Sequence, residues 1–166
     1  MALTQAEFNA LVENHAPALY RTAYRMMGDR HEAEDMVQET FRSAWKSREL
    51  YRAGQGDRAW LASILRRRVI DRWRRHGNPL TLSGEQEMHV EAAPVDPLAG
   101  DYTDEMQRAL AQLPTELRET LLLVVVSELT HQEAADLLDV PLGTVLSRVS
   151  RARRRLRELL MAAKTP

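Results

Sequence analysis

Apolar residues recur every three or four positions along most of the chain, which is the spacing of one face of an α-helix. Thr4 and Glu7 have the capping-box spacing that starts a helix, and we expect this helix to reach about Met27 with a kink or break at Pro17. Two further amphipathic helices follow. Their apolar faces consist of Ala33, Val37, Thr40, Phe41, Ala44 and Trp45, and of Leu61, Leu65, Val69 and Trp73.

The same spacing returns in shorter segments in the second half of the chain. A helix that begins near Thr103 ends before Pro114, and Thr130 and Glu133 form a second capping box at the start of a later short helix. The sequence Asp139-Val140-Pro141 separates that helix from a final one. For the helix after Pro114, the pattern predicts inward positions at Leu117, Leu121, Leu122 and Val125.

Residues 79–103, between the two groups of helices, contain three prolines, two glycines and no lysine or arginine. This composition is typical of a flexible linker. The sequence therefore predicts an all-α fold with two small helical domains, residues 1–78 and 104–166, joined by a flexible acidic linker over 79–103.

Charge is segregated along the chain, although the formal net charge is only −1. Residues 1–78 carry +4, residues 79–103 carry −5 and residues 104–166 are neutral. The segment from Arg58 to His76 holds seven arginines and one acid, and the segment from Gly143 to Arg157 holds six arginines and no acid. Two separate basic helices predict two contacts with a polyanion.

Composition argues against several other classes of protein. The chain has no cysteine, which excludes disulfides, zinc fingers and thiol catalysis. Its longest apolar run, Leu121 to Val126, is far shorter than the roughly 20 residues of a membrane-spanning helix, and no secretory signal pattern is present. The histidines do not cluster, and neither a phosphate-binding glycine loop nor a nucleophile elbow occurs. We expect a cytoplasmic protein without membrane insertion, enzyme activity, cofactor, metal or small-molecule substrate.

The segment from Thr130 to Leu160 has the pattern of a helix-turn-helix: a short capped helix, a turn of about four residues and a basic helix. A helical wheel places Val145, Val149 and Ala152 together on the inner side. Arginines and small hydroxyl residues point outward, and these types reach phosphates and base edges. The candidate DNA-binding residues of this helix are Gly143, Thr144, Ser147, Arg148, Ser150, Arg151 and Arg154, the first two at the helix N-terminus where a phosphate is favoured.

The other basic helix, Arg58 to His76, combines arginines with Trp60 and Trp73 and follows a glycine-containing loop that holds Tyr51. Aromatic side chains beside arginines can hold the unstacked bases of a single strand. For the two tryptophans themselves, packing in the core is the favoured interpretation, and base stacking is the alternative. The excess of arginine is harder to explain by packing.

Several motifs resemble those of bacterial sigma factors of the extracytoplasmic-function class (group IV of the sigma-70 family). The run from Ala33 to Phe41, followed by Ala44-Trp45, is similar to their second conserved region. The run from Trp60 to Arg75 is similar to the part of these proteins that engages the minus-10 promoter element. The segment Ala109 to Leu123, together with Val140 to Leu156, is similar to the C-terminal region that reads the minus-35 element.

The resemblance implies roles for individual residues. Asp35, Gln38 and Glu39 would contact the clamp helices of the RNA polymerase β′ subunit, and the C-terminal domain would dock on the β flap and place residues 144–154 in the major groove. The loop from Glu49 to Asp57 would hold a flipped minus-10 base. Minus-10 DNA contacts are expected at Tyr51, Arg66, Arg67, Asp71, Arg74 and Arg75.

Two functional hypotheses follow. The first is an alternative sigma factor that brings core RNA polymerase to specific promoter DNA, assists minus-10 melting and is regulated by an anti-sigma factor. The second is a stand-alone helix-turn-helix regulator, which would bind closed duplex DNA as a dimer. The acidic linker is interpreted as a tether, with mimicry of RNA as its alternative.

Overall fold

In the computed structural model, the described residues are 2–52, 56–77 and 104–164. They form seven α-helices and one short 3₁₀ helix, Arg48–Leu50. The helices are α1 (Gln5–Met27), α2 (Arg30–Lys46), α3 (Asp57–His76), α4 (Asp104–Gln112), α5 (Thr115–Val125), α6 (His131–Leu138) and α7 (Leu142–Ala163). No strand occurs among these residues, so the all-α prediction is confirmed. The predicted linker lies outside the described residues.

Helices α1, α2 and α3 pack together as a first unit, residues 2–77. The Thr4 capping box starts α1, Gly28 ends it in the left-handed conformation (φ 70°), and the side chain of Asp29 caps α2. The core between the three helices includes the fully buried side chains of Met36 and Leu61. These local signals act within a few residues, which is why they were readable in the sequence.

Helices α4 to α7 form a second unit, residues 104–164, in which α7 packs against the other three. The Thr130 and Glu133 capping box is present at the start of α6. Asp139 ends α6 with a φ of 55° and thereby turns the chain into α7. Val145, Val149 and Ala152 are buried, as the helical wheel predicts, so the opposite face of α7 is turned to solvent.

The two units are packed against each other. Contacts join α1 to α5 and α3 to α6, and the buried apolar side chains of both units form one continuous cluster. This contact between the units was not predicted from the sequence, which indicated two domains without showing how they meet.

Two smaller predictions differ from the structure. Of the kink or break predicted at Pro17, the break does not occur: helix α1 continues through Pro17, because the loss of one backbone hydrogen bond is outweighed by the buried side chains on both sides, among them Leu11 and Leu19. Val125 is 41% exposed, and Leu123 is buried in its place. Val125 lies in the last turn of α5, where the packing of α6 and α7 decides which face is covered.

Among the described residues, no helix combines the length and the apolar character needed to cross a membrane.

Candidate nucleic-acid interface

The basic face of α7 is exposed in the structure. Gly143, Ser147, Ser150, Arg151 and Arg154 are all exposed, and Thr144 is half-buried in the first turn. A Cβ added at Gly143 would meet nothing within 4 Å, so the missing side chain leaves open space at the helix N-terminus. The free backbone N–H groups of this turn and the helix dipole favour an anion there.

Arg148 differs from the other candidates on α7. Its side chain is only 18% exposed, and Nη2 lies 3.7 Å from the Glu116 carboxylate on α5. The carboxylate itself is largely in solvent, so this pair stabilises the fold little. A DNA contact by Arg148 would have to replace Glu116.

The outer side of α3 presents three of the predicted minus-10 residues. Arg67, Arg74 and Arg75 are exposed, and the last two lie in the final turn of the helix. Asp71 is half-buried and lies 3.6 Å from Arg68, so its carboxylate orients a neighbouring arginine. Arg66 is ion-paired with Glu119 of the second unit.

Tyr51 is held at the edge of the loop that precedes α3. Its hydroxyl donates to Asp57 Oδ1 at 2.5 Å, and its ring packs against Trp60 with centroids 5.1 Å apart. The hydrogen bond to Asp57 raises the pKa of Tyr51 to about 12, since the carboxylate favours the protonated phenol. Residues 53–55 of the predicted base-binding loop lie outside the described residues.

Trp60 and Trp73 are half-buried, and both pack against the hydrophobic cluster. This geometry favours the core interpretation of the two tryptophans. Tyr51 is therefore the aromatic residue of the loop itself, and its ring packs against that of Trp60.

The predicted polymerase-binding residues lie on the outer face of α2. Asp35 and Gln38 are exposed, and Glu39 is half-buried beside a polar pocket that it shares with Arg72 and Arg75. Arg72 Nη2 donates to Glu32 Oε1 at 2.9 Å and forms an ion pair with the same carboxylate, which joins α3 to α2 next to this face. The exposed acids remain available to a basic partner helix.

Sequence reasoning missed the residues that join the two units. His15, for example, lies in a small interdomain pocket with Arg58 and Ser127, and burial lowers its pKa. No local signal marks such residues, since their partners lie far away along the chain.

Among the described residues, no group of three or more His, Asp or Glu side chains is arranged to hold a metal ion.

Comparison with known proteins gives consistent matches over both units. Residues 11–78 match the family Sigma-70 region 2, and residues 103–156 match the family Sigma-70, region 4. The chain is 35% identical to the ECF RNA polymerase sigma factor SigE of Mycolicibacterium smegmatis over 92% of its own length, although it spans only 61% of that relative. It is 33% identical to the ECF RNA polymerase sigma factor SigL of Mycobacterium tuberculosis, with 94% of this chain and 90% of SigL covered.

Among solved structures, the chain is similar to the sigma factor RpoE of Bartonella quintana, in a complex with the anti-sigma factor NepR. The TM-score is 0.76 and the identity 31%, over 93% of this chain and 97% of RpoE. The similarity therefore extends over both helical units.

Proposed function

Because the chain belongs to the ECF sigma factors of the sigma-70 family, we propose that it directs core RNA polymerase to a specific set of promoters through the residues identified above. The observation that carries this proposal is the presence of two basic helices, one in each unit, on the segments that match regions 2 and 4. Each of the two basic helices would therefore contact a separate promoter element.

The second unit would read the minus-35 element. Its exposed residues on α7 would enter the major groove, with Gly143 and Thr144 against a phosphate and Arg151 and Arg154 toward base edges. Ser147 and Ser150 permit close approach, and Arg148 would join after release from Glu116.

The first unit would hold the minus-10 element. Breaking a base-pair step costs about 1.4 kcal/mol of stacking, so melting requires contacts that favour the open strand. Tyr51 and its loop would bind an unstacked base, and Arg66, Arg67, Arg74 and Arg75 would hold neighbouring phosphates. The carboxylate of Asp71 would orient Arg68 beside them.

Two protein partners belong to this proposal. Asp35, Gln38 and Glu39 would contact the β′ clamp helices, and the second unit would dock on the β flap. An anti-sigma factor is a further expected partner, since the similar RpoE was solved bound to one. The chain would act in the cytoplasm, together with the polymerase, and would catalyse no reaction of its own. The proposal keeps the division of the chain into a polymerase- and minus-10-binding domain (1–78), an acidic linker (79–103) and a minus-35-binding domain (104–166).

The test is run-off transcription by core polymerase, with and without the chain, on a promoter library whose transcribed templates are sequenced. We expect transcripts that require the chain and that disappear with Asp35→Arg, or with Arg148→Ala combined with Arg151→Ala. Glu105→Arg, a charge reversal at an exposed position of α4, is the control and should preserve transcription. Absence of core binding, together with dimeric binding to duplex DNA, would refute the sigma-factor role.

A further inference from the structure

Leu146 is a large apolar side chain on the otherwise polar outer part of α7. It is 49% exposed, although its neighbour in the chain, Val145, is completely buried. Successive residues of a helix point about 100° apart, so Leu146 is turned away from the core against which Val145 packs. Leu142, one turn earlier on the same side of the helix, is 40% exposed. Two leucines therefore leave much of their apolar surface in solvent within one turn.

The neighbours of Leu146 on the helix surface belong to the candidate DNA-binding face. Gly143 lies three positions before it and Ser150 four positions after it, and both are exposed candidate DNA contacts. The segment from Gly143 to Arg157 holds six arginines and no acid, so this part of α7 is suited to a polyanion. By its position, Leu146 is continuous with the surface that the proposed function places in the major groove.

The start of α7 indicates how DNA would approach Leu146. The residue before the helix is Pro141, whose side chain has no atom that could accept hydrogen bonds from the first-turn N–H groups. A backbone phosphate can accept them instead, and the open space at Gly143 lets it come close. Phosphate contacts fix the register of a helix on the duplex, and Leu146, on the following turn, would then face a base edge.

The size of the apolar surface decides what can cover it. Protein partners typically cover contiguous apolar patches of roughly several hundred Å². The residues beside Leu146 on the helix are glycine, serine and arginine, so only Leu142 extends its apolar surface. That surface matches a single methyl group better than an apolar helix. In the major groove the C5-methyl group of thymine is the apolar group that base edges present, and it distinguishes thymine from the other three bases.

We propose that Leu146, with Leu142 beside it, forms an apolar contact with the C5-methyl group of a thymine in the minus-35 element. An A·T pair at one position is thereby part of the sequence that the chain recognises. The inference rests on the proposed function, because it takes α7 as the helix that enters the major groove. The arginines of the same face contact phosphates and guanine, and Leu146 adds selection for a methyl group, so it is a specificity-determining residue.

Replacement of thymidine by deoxyuridine tests this contact, because it removes only the C5-methyl group and leaves the pairing with adenine unchanged. The minus-35 element is taken from the templates transcribed in the promoter library. Each of its thymines, on either strand, is replaced in turn, and each duplex is titrated with the complex of core polymerase and the chain. We expect one replacement, or two adjacent ones, to weaken binding about three- to fivefold, the contribution of one buried methyl group.

Variants at Leu146 separate this contact from any effect of the methyl group on the DNA itself. Leu146→Ala should bind the thymine and deoxyuridine duplexes nearly equally. Leu146→Met keeps a long apolar side chain and should retain the discrimination. Leu50→Ala is the matched control, because it makes the same change at a leucine of the first unit that is 76% exposed, and it should leave the discrimination unchanged.

Several results would overturn the proposal. One is a minus-35 element that has no thymine on either strand, and another is unchanged binding after every replacement. A third is a loss that persists in full with Leu146→Ala, which would mean that the methyl group acts through another residue or through the DNA. Weaker core binding by Leu146→Ala with an unchanged thymine preference would assign the leucine to a polymerase contact instead. If the unchanged chain supports no transcription with core polymerase, the proposed function itself fails, and this inference fails with it.

Discussion

Arg148 and Arg151, two of the arginines predicted to contact DNA from α7, should contribute unequally to minus-35 binding. Arg151 is exposed, and within the part of the chain that the structure describes no acid lies within ion-pair distance of it. Arg148 is largely covered and lies 3.7 Å from Glu116. We therefore expect Arg151→Ala to weaken promoter binding more than Arg148→Ala does.

The magnitudes follow from the exposure of each pair. A bidentate contact from arginine to guanine contributes about 1–3 kcal/mol, so Arg151→Ala should weaken binding about 5- to 150-fold. The pair of Arg148 and Glu116 has one partner in solvent, and such pairs contribute about 0.2–1 kcal/mol. Because DNA must replace that pair, the loss caused by Arg148→Ala is reduced by the same amount.

Removing the acid should have the opposite effect. Glu116→Gln releases Arg148, so we expect binding to tighten by up to about fivefold, which corresponds to 1 kcal/mol. The same substitution should have no effect in an Arg148→Ala background, as a double-mutant cycle can establish. Glu158→Gln is the control, since it releases Arg155 from a similar pair further along α7.

The assay is titration of duplex promoter DNA with the complex of core polymerase and each variant, at several salt concentrations. Loss of one phosphate contact lowers the slope of log affinity against log salt by about one, whereas loss of a base contact alters sequence preference. Equal losses for Arg148→Ala and Arg151→Ala would refute the reasoning. So would tightening by Glu116→Gln that persists when Arg148 is absent.

Three further outcomes are expected. Gly143→Ala should stabilise the fold by roughly 0.5–1 kcal/mol in denaturant unfolding, since the added Cβ meets no atom within 4 Å. The same methyl group should weaken minus-35 binding in the DNA titration, because DNA would approach that turn. Leu65→Ala should lower the free energy of unfolding by about 2–5 kcal/mol, because Leu65 is 1% exposed in the core, and a smaller loss would mean that the site collapses around the cavity. Burial lowers the pKa of His15 below 6.5 in the folded protein, so the unfolded chain binds the proton more tightly. The folded state therefore loses stability as the pH falls through the folded-state pKa of His15. His15→Asn removes this group and should reduce the fall in Tm between about pH 7 and pH 5.

Much of this protein was readable from its sequence because the relevant signals are local. The capping boxes at Thr4 and Thr130 join residues three apart, and helical periodicity relates residues three or four apart. The same periodicity placed Val145, Val149 and Ala152 inside and the basic residues of α7 outside. The family motifs could be recognised for the same reason, since each is a short contiguous run.

Only the tertiary structure decided which residues of the two units pair with each other, and hence which predicted DNA-binding residues have a side-chain partner. Arg66 meets Glu119 across 53 positions of sequence, Arg25 meets Gln107 across 82, and Thr22 meets Ser127 across 105. No periodicity links residues so far apart, because their distance depends on how two separately folded units dock. The sequence by itself determined the helices, their amphipathic faces and the basic segments. Their docking determined that Arg66 lies against a carboxylate, and that Arg67, on the same helix, faces solvent.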